Sequence, residues 1–133
     1  MKYILSINFL IYLIISILSF LYDQYTTNCK KISIYTFTNS FFHHLFSTYL
    51  WFGSLIFGNY KTHLIIVLLV LYGWYYNGGC VVTHMYNEAC GIKKSTNHKD
   101  IMYNFINKSN FSYNQLIGVI VLFDTILSLY YNK

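Results

Sequence analysis

The chain has 133 residues, of which 56% are hydrophobic and only 10% charged, and its formal net charge is +5. That length sets a single domain. A charged fraction so far below the rough quarter of soluble domains excludes a globule that hides its apolar surface in its own core. All nine basic residues are lysines scattered between apolar runs, with no arginine and no basic helix. The pattern excludes nucleic-acid binding and suits charges that orient membrane helices.

Proline and arginine are absent and Ala89 is the only alanine, whereas Tyr, Asn and Ile abound. This bias looks like an AT-rich genome, such as that of a large DNA virus or a protist, and carries no functional signal.

In chain order, the first apolar segment is YILSINFLIYLIISILSFLY, residues 3–22. It has the roughly 20 residues needed to span hydrocarbon. Lys2 precedes it as in a secretory signal, but the run is longer than a usual signal core and no small-x-small cleavage site follows. An uncleaved membrane helix is expected.

The second segment, FFHHLFSTYLWFGSLIFG, covers residues 41–58. His44, Ser47, Trp51, Ser54 and Gly58 recur at helical spacing and so share a face. Small and polar residues on one stripe are expected to face neighbouring helices, because lipid offers them no partners. Ser54 and Gly58 form a small-xxx-small pair that predicts close approach of a second backbone.

A very short loop, 59–62, makes the next segment the return arm of an antiparallel hairpin. HLIIVLLVLYGWYY ends at Tyr76 and covers only about 21 Å as a helix, so the helix is expected to run on to about residue 82. The stretch NGGCVVTHMYNEACG then lies at the membrane boundary as a polar cap. Residues 83–114 are expected to form a loop on the membrane surface, with Ile101, Met102, Phe105 and Ile106 placing a short interfacial helix in it. The last segment, 115–131, is apolar apart from Asp124, and tyrosines at the segment ends match an aromatic belt. The expected fold is an all-α, four-helix integral membrane bundle with a central antiparallel hairpin.

With four crossings, the loops at 23–40 and 77–112 share one side and carry six lysines against three elsewhere. The positive-inside rule puts these loops in the cytoplasm and both termini opposite. Two sequons, at Asn107 and Asn110, point the other way.

Candidate polar residues divide by depth. His43, His44, Cys80, Thr83, His84, Glu88 and Cys90 fall on the loop side, and His63 and Asp124 toward the other. His84 and Glu88 are one helical turn apart, and with Cys80 they offer imidazole, carboxylate and thiolate, a set that suits zinc. Against this, no C-x-x-C or H-E-x-x-H pattern is present. Cys80 and Cys90 form a ten-apart disulfide if their loop faces an oxidising compartment. Haem ligation by His44 and His63 within one chain is excluded, because they sit at opposite ends of the hairpin. Asp124 inside an apolar helix must be neutral, paired or facing water. Its functional reading is a proton or ion relay with His63; its bland reading is a hydrogen bond that locks the bundle.

The order of His44, Gly53, His63, Trp74 and Cys80-Val-Val-Thr83 resembles a family of small uncharacterised integral membrane proteins. Their pattern is a histidine-bearing helical hairpin closed by a Cys-x-x-Thr-x-x-Glu motif. The resemblance covers residues 41–91 and implies an architecture and a residue set: His44, His63, Cys80 and Thr83. The chain departs from the motif at its last position, where Tyr86 stands and Glu88 follows two residues later.

The function expected is that of a small multi-pass membrane protein of structural or interaction type without catalysis. Its partners are the lipid bilayer, other membrane proteins or further copies of itself. The alternatives are a metal-dependent membrane enzyme or redox protein using the His/Cys/Glu cluster, and a proton or ion pathway through Asp124 and His63.

Overall fold

The computed structural model describes residues 2–27, 29–93, 96, 99, 101–109 and 111–131. These are all-helical: α1 (Lys2–Thr26), α2 (Ile34–Phe57), α3 (Tyr60–Asn77), α4 (Val81–Cys90), α5 (Ile101–Lys108) and α6 (Tyr113–Tyr131). The second sequon residue, Asn110, lies outside the described residues.

Helix α2 starts at Ile34, not near residue 41. Ser33 and Thr36 form a reciprocal capping box there, which satisfies backbone N–H groups that the first turn would otherwise leave bare. The extra turns carry Thr36 and Ser40 into the interior. At its other end α2 stops at Gly58, which takes the left-handed conformation. The stripe of His44, Ser47, Trp51 and Ser54 is buried, while Gly58 is an exposed cap. The close backbone approach falls instead at Gly53, where an added Cβ would come within 2.9 Å of the His63 ring.

Helix α3 does not continue to residue 82. It ends at Asn77, and Gly78 (φ 66°) and Gly79 (φ 146°) turn the chain in a region that side-chain-bearing residues rarely enter. Helix α4 then departs at 53° to α3 and packs across α2. Residues expected as surface loop are therefore a helix whose Thr83, Tyr86, Asn87 and Cys90 are buried.

Helix α2 is the hub, touching α1, α3, α4 and α6, and α3 packs along α6. A small apolar core of Leu50, Trp51, Val67 and Ile117 fastens α2, α3 and α6. Burial is otherwise inverted. Among the described residues seven hydrophobic side chains are buried against thirteen polar or charged ones, while Leu18, Leu69, Leu122 and Leu129 are each more than 60% exposed. Water-soluble folds do the reverse.

Among the described residues two helices are by themselves long and apolar enough to cross a membrane, Ile7–Thr26 within α1 and Tyr113–Tyr131, and α3 with α4 qualifies as a bent pair. Polar side chains along α2, including the adjacent His43 and His44, keep it out of that set.

Candidate functional site

Two nodes of buried polar groups link helices to one another. At the first, Ser19 and Asp23 lie one turn apart on α1 and face His44 of α2, and all three are buried. Four donors converge on the Asp23 carboxylate. The Thr27 hydroxyl (2.7 Å) and the Lys99 backbone N–H (3.0 Å) donate to Oδ1, and the Ser40 hydroxyl (3.3 Å) donates to Oδ2. His44 Nε2 stands 3.2 Å from Oδ2, and its Nδ1 stands 3.0 Å from Ser19 Oγ. A carboxylate only accepts, so Nε2 donates to Asp23, while Nδ1 on the other side of the ring meets the Ser19 hydroxyl. Serine, imidazole and carboxylate thus stand in the order of a nucleophile, base and orienter. All three are buried between α1 and α2, and their hydrogen bonds tie the two helices together.

At the second node His63 of α3 bridges two other helices. Its Nδ1 lies 2.5 Å from Asp124 Oδ2 on α6, and its Nε2 lies 3.0 Å from the Tyr49 carbonyl of α2. A carbonyl only accepts, so Nε2 must donate to it. Nδ1 and Oδ2 are thereby hydrogen-bonded to each other, which offsets the cost of desolvating two buried polar groups. The other Asp124 oxygen, Oδ1, is buried with no hydrogen-bond partner, as is Thr48 Oγ1 on α2.

Where α4 bends away from α3, a cavity of about 220 Å³ opens between α2, α3, α4 and α6. Phe46, Trp51, Trp74 and Tyr113 form much of its wall. His43, Ser47, Cys80, Thr83 and Asn114 add polar groups to its lining.

The cysteines divide differently from the expected pairing. Cys90 bonds to Cys29, not to Cys80, and ties the α1–α2 connection to the end of α4. Cys80 keeps a free, half-buried thiol. Ten residues along α4 separate Cys80 from Cys90 by about 15 Å, too far for a direct bond.

The candidate residues of the loop side therefore do not form one cluster. His44 joins Asp23 and Ser19; His43, Cys80 and Thr83 share the cavity; Cys90 is spent on a disulfide; Glu88 is exposed. The His84 ring lies over Gly79, whose Cβ would stand 3.0 Å from Nε2. Among the described residues no group of three or more His, Cys, Asp or Glu side chains is gathered so as to hold a metal ion. The structure does not bring Cys80, His84 and Glu88 together as zinc ligands.

Asp23 escapes the sequence reading because residues 23–40 read as a loop, and without it Ser19, inside the segment 3–22, has no evident partner. One signal was present: a helix carried one turn past Tyr22 puts Ser16, Ser19 and Asp23 on one stripe.

No family model matches the chain, and no characterised protein or solved structure matches it.

Proposed function

We propose that the chain is a multi-pass integral membrane protein of structural or interaction type. The observation that carries this reading is the inverted burial: a polar interior under an apolar surface. In hydrocarbon there is no hydrophobic force between helices, so interior hydrogen bonds and close packing hold them together. The two histidine–aspartate nodes serve that purpose, one fastening α1 to α2 and the other α3 to α6 and α2. In this reading α1, α2, the bent α3–α4 pair and α6 form a four-part bundle in the bilayer, with α5 on its surface.

The disulfide supports a sidedness for this reading. Structural disulfides persist in oxidising compartments, so the proposed orientation puts the side bearing Cys29 and Cys90 in the lumen or cell exterior and the termini in the cytoplasm. It is the opposite of the orientation expected from six lysines, and the exposed sequon residue Asn107 supports it.

The test is extraction. The protein should stay with membranes through an alkaline carbonate wash and come out in detergent, and protease added to sealed vesicles should define which side bears residues 91–100. Release by carbonate alone would reject the reading.

A second reading, a proton or ion pathway, is favoured by the unpartnered Asp124 Oδ1 and Thr48 Oγ1. Each is a buried group that a water molecule would satisfy. Proton flux in proteoliposomes that Asp124→Asn abolishes would support it, and vesicles as tight as protein-free controls would reject it.

A further inference from the structure

We propose that the cavity at the α3–α4 bend is a binding site for a small neutral molecule built on one flat, conjugated six-membered ring and carrying a hydroxyl or keto oxygen. The proposal rests on the membrane reading in one respect only, that such a molecule arrives by way of the bilayer.

The cavity is a product of the fold. Helix α3 halts at Gly78, and α4 leaves at 53°, so the space that a straight helix would have filled beside α2 stays open. Sites of this kind, between helices and walled by aromatic groups with a few polar ones, are the common form of small-molecule pockets. Size sets the ligand. An apolar cavity of about 150 Å³ takes up benzene, so about 220 Å³ accommodates one substituted ring.

Charge narrows the class. Among the described residues no Lys, Asp or Glu lines the cavity, so it holds no fixed charge to compensate an ionic ligand, and burying an unpaired charge is costly. Polarity is graded along α2. His43, Ser47 and Trp51 follow at four-residue steps, spanning about 12 Å from an imidazole to an indole. The antiparallel α3 matches this gradient, with Trp74 before the bend and Cys80 and Thr83 after it. A ring therefore packs among Phe46, Trp51 and Trp74, with its oxygen toward His43, Cys80 and Thr83. Offset and edge contacts between rings add to simple burial.

Two built-in reporters allow a direct test. The chain has two tryptophans, Trp51 and Trp74, and both line the cavity. It has one free thiol, Cys80, and that lines it too. The probe is duroquinone, a ring whose four methyl groups block addition of a thiol. It is titrated into detergent-purified, oxidised full-length protein while tryptophan emission and the rate of Cys80 alkylation by N-ethylmaleimide are followed.

Saturable quenching is expected. With probe at about ten times the dissociation constant so obtained, alkylation should slow about tenfold. Asn114→Phe, a change at an exposed position on the cavity's rim, should abolish both effects while helical circular dichroism is unchanged. Linear quenching with unchanged alkylation would overturn the proposal, as would saturable quenching without protection of Cys80. Effects that survive intact in Asn114→Phe place the probe elsewhere and overturn it as well. Any of these results in a protein that resists carbonate extraction rejects the site and leaves the membrane reading standing.

Discussion

His63 and Asp124, 61 residues apart in the chain, meet with Nδ1 and Oδ2 at 2.5 Å, both fully buried. The contact joins the third helix to the sixth, and the other ring nitrogen reaches the second helix through the Tyr49 carbonyl. One imidazole thus holds three helices.

Asp124→Ala should destabilise the protein by about 1–3 kcal/mol, because it leaves the His63 donor without its acceptor in the interior. The figure is modest because helices unfolded within a membrane find other partners. Replacing both residues with leucine should recover most of the loss, since no polar group is then stranded. Unfolding in mixed micelles, followed by tryptophan emission, measures both. A double variant as unstable as the single one would show that the pair is more than a fastener.

Gly53→Ala should cost about 1–3 kcal/mol through overpacking. The new methyl group would stand 2.9 Å from both the His63 and Tyr49 rings, and His63 is held on two sides. Gly73→Ala supplies the contrast, since nothing lies within 4 Å of its added carbon. There the better helix former should be neutral or stabilising by up to about 1 kcal/mol. Thermal melts of the two variants side by side check the pair.

Reduction should lower stability by about 2–4 kcal/mol by opening the Cys29–Cys90 bridge, which closes a 61-residue separation. On non-reducing gels Cys29→Ser and Cys90→Ser should share one altered mobility and expose two thiols each to maleimide. Cys80→Ser should migrate as the parent and expose none. A Cys80→Ala protein that still labels fully without reductant would argue against the bridge.

Ser33→Ala should cost about 1 kcal/mol, because it removes the hydroxyl that caps the Thr36 N–H. Loss should appear as fraying of the first turns of α2. Amide exchange at residues 34–38 is the readout: faster exchange there than in the parent, with residues 44–54 unaffected.

The gross character of the molecule was legible without coordinates. Hydrophobic runs of helical length and scarce charge lead to an all-helical chain with segments that suit hydrocarbon. The helical spacing of His44, Ser47, Trp51 and Ser54 marks a buried face, because periodicity alone decides which side chains share a side of a helix. Asp124 stands out as a group in need of a partner for the same local reason: a carboxylate in an apolar run must be neutralised somewhere.

What local pattern does not carry is where chain segments end and which of them meet. The start of α2 rested on a Ser33–Thr36 cap inside a polar stretch that resembles a loop. The stop of α3 rested on two glycines whose positive φ angles only the packing of α4 onto α2 makes decisive. Three cysteines allow three pairings, and the distance between Cys29 and Cys90 is a property of the folded bundle. Asp23 found His44, and His43 separated from its neighbour to face a cavity, because adjacent residues on a helix point about 100° apart and different elements lie on each side. Local pattern decides that the chain is helical and where its long apolar runs lie. Only the tertiary structure decided the partners, since hydrogen bonds, disulfides and cavities are set by distances between residues far apart in the chain.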